Sequence, residues 1–90
     1  MIQKQFTIGC KQGFHLRPAQ LLTETAGPFA STIMLKKVGT DSEIDAKSIL
    51  GLMSLGLGAG QEVTVTVTGD DETAAMAAVE KLFANNFGEQ

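Results

Sequence analysis

Seven short stretches of patterned hydrophobic residues, separated by turn signals, run the length of the chain. From Ile2 to Ile8, alternation places Ile2, Phe6 and Ile8 on one face of a strand and Gln3, Gln5 and Thr7 on the other, with Lys4 out of step. After a loop from Gly9 to Gly13, the spacing of Pro18, Leu21, Leu22, Ala26 and Phe29 is helical. Gly27-Pro28 should end that helix, leaving Phe29 to pack from its exit. Thr32 to Val38 alternates with Ile33 and Leu35 inward; Gly39, Thr40 and Asp41 supply a turn, and Ser42 to Ala46 forms a short returning strand carrying Ile44. Ser48 to Leu55 reads as a two-turn helix closed by Gly56. Glu62 to Thr68 is the clearest strand, because Val63, Val65 and Val67 alternate with Thr64, Thr66 and Thr68, and it is expected to be central. Asp70 and Asp71 offer an N-cap to a last helix striped by Ala75, Ala78, Val79, Leu82 and Phe83, and Cys10 is expected to end the first strand.

The order βαββαβα, with one apolar face per strand, predicts an α+β open-faced sandwich: a four-stranded sheet covered on one side by three helices. A length of 90 residues suits one domain, 1–90, whose 43% hydrophobic content supplies a core but leaves little room for a large buried substrate pocket. No apolar run approaches the roughly 20 residues of a membrane helix. The N-terminus lacks a secretory apolar stretch and Cys10 has no partner for an internal disulfide, so a cytoplasmic location is expected. A net charge of −3 argues against nonspecific binding to nucleic acid or anionic lipid, which depends on accumulated Lys and Arg. In the short helix Ile49, Leu50, Leu52, Met53 and Leu55 surround nearly the whole circumference. One side rests on the sheet; the other is either a partner surface or lies beneath loops.

The chemistry centres on the only histidine, His15, in Gly13-Phe14-His15-Leu16-Arg17-Pro18-Ala19. Proline is compatible with a first helical turn, so the helix should begin within a residue or two of His15 and place the imidazole at its positive end. A positive dipole favours a neutral ring whose nitrogen lone pair can attack phosphorus, and the same dipole and unsatisfied N–H groups stabilise a phosphoryl group once attached. Arg17 adds a planar, permanently charged donor for phosphoryl oxygens. Alone, His-x-Arg-Pro reads better as exposed residues at a helix start, and a second element must decide.

That element is Lys47-Ser48-Ile49-Leu50-Gly51-Leu52-Met53-Ser54-Leu55-Gly56. With the His15 segment, it resembles the HPr family, the histidine-containing phosphocarriers of the bacterial phosphoenolpyruvate-dependent sugar phosphotransferase system, over essentially the whole chain. The resemblance implies an antiparallel sheet in the order first, fourth, second, third strand. It implies that His15 takes phosphate from enzyme I and gives it to the A components of sugar-specific enzymes II, assisted by Arg17. It implies further that Ser48 is a regulatory phosphorylation site for an ATP-dependent kinase and its phosphorylase, linked to a catabolite-control regulator. As an N-cap, Ser48 would hold a phosphate against the helix terminus beside the apolar residues of that helix. Leu16, Gln20, Ile49, Leu50 and Met53 are the expected partner surface, and a monomer without metal or cofactor is expected. Departures from the family are Gln12, Glu24 and a turn between the second and third strands about two residues longer than usual.

Other functional classes fit the sequence less well. Acylphosphatases share a related element order, but need an asparagine to position water, and Asn85 and Asn86 fall in the last helix. Cys10 as nucleophile with His15 as base lacks a third, orienting group, and one Cys with one His cannot complete a closed metal site. A purely regulatory module acting through Ser48 leaves His15 and Arg17 without a role.

Overall fold

The computed structural model describes residues 1–88. Its elements are β1 (Ile2–Thr7), α1 (Leu16–Ala26), β2 (Thr32–Lys37), β3 (Glu43–Asp45), α2 (Ile49–Ser54), β4 (Glu62–Thr68) and α3 (Glu72–Ala84), followed by a short 3₁₀ turn, Asn86–Gly88, that the pattern did not foretell. The strands form one antiparallel sheet in the order β1-β4-β2-β3, with β4 inside it as expected.

Register explains the sidedness. Val63, Val65 and Val67 of β4 are fully buried, and Ile33 and Leu35 of β2, opposite Val67 and Val65, are buried with them. Burying a valine contributes roughly 1.5–3 kcal/mol, more than the ~1 kcal/mol span of intrinsic strand preference. The valine row therefore decides which face meets the helices. The opposite face carries Thr64, Thr66 and Thr68, with Gln3 Nε2 donating to Thr66 Oγ1 at 3.0 Å and Gln5 Nε2 to Glu62 Oε2 at 3.2 Å.

Lys4 pairs with Val65 and so lies on the helix-facing side of the edge strand β1. Its stem runs outward and its ammonium meets Glu80 of α3. Half-exposed pairs of this kind add at most about 1 kcal/mol; the consequence is a charged residue on a strand edge, which discourages edge-to-edge pairing.

Several boundaries differ from expectation. β1 ends at Thr7, although the Ile8 amide bonds to the Gln61 carbonyl at 2.8 Å, and Cys10 lies beyond the strand, buried in the loop. β3 is only three residues long, because Ser42 and Ala46 continue it as single backbone bonds, to Lys37 and Ile33, at either end. In α1 the buried residues are Pro18, Ala19, Leu22 and Ala26, with Leu21 half-buried; in α3 Met76 joins the core while Ala78 and Leu82 are half-buried. Phe29 packs partly against the core, as expected from its place after the helix exit.

Asp71 stands at the N-cap position of α3, yet its side chain makes no cap bond. Its carboxylate turns to the α1–β2 connection, accepting from the Ser31 hydroxyl, the Ala30 amide at 2.8 Å and the Ser31 amide at 2.9 Å. The Ser31 hydroxyl first, then those amides, hold the Asp71 carboxyl below its ordinary value of 3.8. Because the folded value is the lower one, the stabilisation is complete above pH 3.8 and lost as pH falls through the folded value. Asp71→Ala is expected to lower the Tm at neutral pH, with the gap from wild type closing in strong acid. Thermal melts across that range check this; an equal gap at both extremes would contradict the charged-acceptor role.

Candidate functional site

The loop between β1 and α1 is shaped by Gly13. Its φ of +76° lies in the left-handed region, and a Cβ there would approach the Leu57 carbonyl oxygen to 2.8 Å. Released by that geometry, the Gly13 amide bonds to the Cys10 carbonyl at 3.0 Å and the next amide, of Phe14, bonds to the Leu57 carbonyl at 2.7 Å. The loop before α1 is thereby stitched to the loop after α2, and Phe14 and Leu57 are both buried beneath it.

His15 follows as the N-cap residue of α1, with extended backbone (φ −90°, ψ −168°) and its carbonyl accepting from Ala19 at 3.1 Å. Pro18 occupies the third helical position, where an amide would have no intrahelical acceptor, which is why the helix starts here. The histidine is half-buried at the surface and does not enter the core, and it stands at the positive end of an 11-residue helix. Arg17 is exposed in the first turn, and among the described residues no acidic side chain pairs with it. The arrangement offers an imidazole nucleophile, a helix start that favours anions, and a guanidinium two residues on.

The second motif is brought alongside. The Thr23 hydroxyl of α1 donates to the Ala46 carbonyl at 3.2 Å and the Lys47 ammonium to the Phe29 carbonyl at 2.7 Å, tying α1 and its exit to the residues just before α2. Ser48 is the exposed N-cap of α2, its hydroxyl accepting from the Gly51 amide at 3.1 Å. Gly56, at φ +62°, follows the last helical turn.

The apolar circumference of α2 divides in two. Leu52 and Leu55 are buried, while Leu50 is 81% and Met53 42% exposed; on α1, Leu16 is 55% exposed and Gln20, one turn on, is exposed too. No described loop covers Leu50 or Met53. Ile49, expected in the partner surface, is half-buried and packs partly against the core, so only its outer edge is exposed.

Two site features escaped the pattern. One is the Gly13–Leu57 junction, whose only local signal is a glycine immediately before an aromatic residue. The other is Asn86: it lies beyond α3 rather than within it, and its side-chain amide sits against Gly9, at the start of the His15 loop. Two surface hollows lie away from His15, one beside Gln3, Lys36, Thr40 and Thr64, the other beside Gln5, Phe6, Glu80 and Phe83. Among the described residues no His, Cys, Asp and Glu cluster could hold a metal ion, and no helix is long and apolar enough to cross a membrane.

Comparison with known proteins agrees with this geometry. The family model described as the PTS HPr component phosphorylation site matches residues 2–85. Phosphocarrier protein HPr of Treponema pallidum is 41% identical over 90 residues, covering all of both chains. Phosphocarrier protein HPr of Cupriavidus necator is 44% identical over 89 residues, covering 99% of this chain and 98% of that one. Among solved structures, HPr-C-His from Thermoanaerobacter tengcongensis superposes with a TM-score of 0.92 at 40% identity, over 100% of this chain and 99% of the other. Matching in sequence from end to end and in the whole βαββαβα sandwich, the chain belongs to the HPr phosphocarrier family of the phosphotransferase system.

Proposed function

We propose that this chain, working as a single cytoplasmic domain and as a monomer, accepts a phosphoryl group from enzyme I on the imidazole of His15. It then passes that group to the A components of enzymes II in sugar uptake. The observation that carries the reading is the placement of His15 as the half-buried N-cap of α1 with Arg17 exposed two residues on. In transfer, a ring nitrogen lone pair forms the N–P bond as the bond from phosphorus to the donor breaks in line. The helix start and the guanidinium stabilise charge on the equatorial oxygens, and the reverse sequence delivers the group onward. No cofactor enters and no turnover occurs without a partner. The exposed Leu16, Gln20, Leu50 and Met53, with the outer edge of Ile49, form the face that meets enzyme I and the A components, which suits a protein that must present its histidine to another active site.

Ser48 is the proposed regulatory site, acted on by a kinase and phosphorylase and read by a catabolite-control regulator. Its hydroxyl already caps α2, so a phosphate there keeps a bond to the helix start without refolding, while adding charge beside Leu50 and Met53. A dianion at the rim of an apolar contact disfavours docking.

Incubation with phosphoenolpyruvate and enzyme I should give one acid-labile phosphoryl group, absent in His15→Ala; a wild-type protein that takes up none contradicts the carrier reading. Arg17→Ala should slow transfer by roughly a hundredfold, the scale of losing one charge-stabilising donor, while the Tm stays near wild type because the residue is exposed. Parallel losses of rate and Tm would make Arg17 structural instead. Ser48→Asp should phosphorylate more slowly on His15, and authentic phosphoserine protein more slowly still; unchanged kinetics for the phosphoserine form would remove the switch.

A further inference from the structure

The chain does not simply leave α3. Asn85 closes the helix, and the next two residues, Asn86 at φ 50° and Phe87 at φ 55°, are both left-handed although neither is glycine. A helix commonly exits through one such residue, usually glycine; a bulky aromatic held there is an outlier that the surroundings must compensate.

The compensation comes from the His15 loop. Phe87 is 97% buried in effect, with only 3% of its surface exposed, and its ring meets Phe83 edge-on at 4.9 Å and Phe14 edge-on at 5.1 Å with planes at 90°. The Gly88 amide closes the turn on the Asn85 carbonyl at 3.0 Å. The Cys10 thiol donates to the Asn86 carbonyl at 3.7 Å, and the Asn86 amide sits so close over Gly9 that a Cβ on Gly9 would collide with it. The turn thus touches the loop at Gly9, Cys10 and Phe14, and Phe14 is bonded directly to His15. Phe6 of β1 stacks on Phe83 at 4.4 Å with planes 9° apart, so a row of rings runs from the sheet, through α3 and the turn, to the residue preceding His15.

We propose that Phe87 is a positioning residue for His15: the strained turn Asn86–Gly88 clamps the loop through Phe14 and holds the imidazole in its transfer geometry. The inference rests on His15 being the phosphoryl acceptor. A phosphoryl acceptor must lie in line with the donor bond, and a displacement of about 1 Å costs on the order of a hundredfold in rate. The Gly13 and Phe14 amide bonds hold the backbone of this loop, and the Phe87 ring against Phe14 packs it from beneath.

The test uses the full chain with Phe87→Ala, Phe87→Leu and, as a stability control, Val67→Ala. Val67 is buried opposite Ile2, at the end of the sheet away from the loop. Two readouts are taken: NMR signals of the residue 10–17 amides and the His15 ring in the free protein, and the rate of phosphorylation by enzyme I. Phe87→Ala is expected to shift and broaden the loop and ring signals, leave the β1–β4 amides in place, and slow transfer roughly tenfold, a partial misplacement on the scale above; Phe87→Leu should fall between it and wild type. Val67→Ala should lower the Tm without either effect. The proposal is overturned if Val67→Ala disturbs loop and rate as much as Phe87→Ala does, or if the loop signals and the rate stay at wild type in Phe87→Ala. Should Phe87→Ala fail to fold, a Phe87→Leu protein with a lowered Tm but wild-type loop signals overturns it equally. The NMR readout needs no enzyme I, so a wild-type protein that takes up no phosphoryl group would sink the carrier reading separately from the clamp.

Discussion

One backbone hydrogen bond, from the Phe14 amide to the Leu57 carbonyl, joins the two halves of the site, and it exists only because Gly13 turns into a region that other residues avoid. On one side of that bond the chain enters α1 through His15; on the other it has just left α2. His15, Arg17 and the exposed apolar patch of α2 are set apart in sequence, and this junction, with the Thr23 and Lys47 bonds to backbone carbonyls, ties the segments that carry them together. A backbone junction of this kind fixes the position of the loop directly. That suits the proposed transfer, in which His15 is presented to a partner.

The sheet supplies the rigidity behind the junction. Its valine row buries against the helices while its threonine row faces outward, and the difference in burial energy between the two rows is large enough to hold the register. β1 is at once an edge strand and the lead into the His15 loop. Lys4 keeps that edge from pairing with another chain, and Phe6, stacked on Phe83, couples it to α3. The Ser31–Asp71 bonds perform a similar task at the opposite end, tying the exit of α1 to the start of α3.

Most of the architecture was legible because each element announces itself locally: alternation for β4, helical spacing and Gly27-Pro28 for α1, a capping serine and Gly56 for α2. The placement of His15 and Arg17 at the start of α1 was legible for the same reason, since Pro18 marks where the helix begins. What local patterns could not show depends on partners far along the chain. Lys4 broke its strand's alternation only until register placed it opposite Val65, within reach of Glu80. Asp71 matched the preference for an N-cap, but three donors from the α1–β2 connection outcompete the helix start for its carboxylate. The apolar circumference of α2 did not show which residues would be buried, and Ile49 is half-buried against the core. Asn86 was expected in the last helix and lies beyond it, and a left-handed phenylalanine is not written in composition; its ring contacts, Phe14 and Phe83, come together only in the folded chain.

The account stands or falls on where phosphorus is bonded. With ¹⁵N-labelled protein charged by phosphoenolpyruvate and enzyme I, a phosphorus–nitrogen NMR correlation should connect one phosphoryl group to a ring nitrogen of His15, and the signal should vanish when an A component is added. A phosphoryl group bonded to any other residue, or one on His15 that no A component removes, would contradict it.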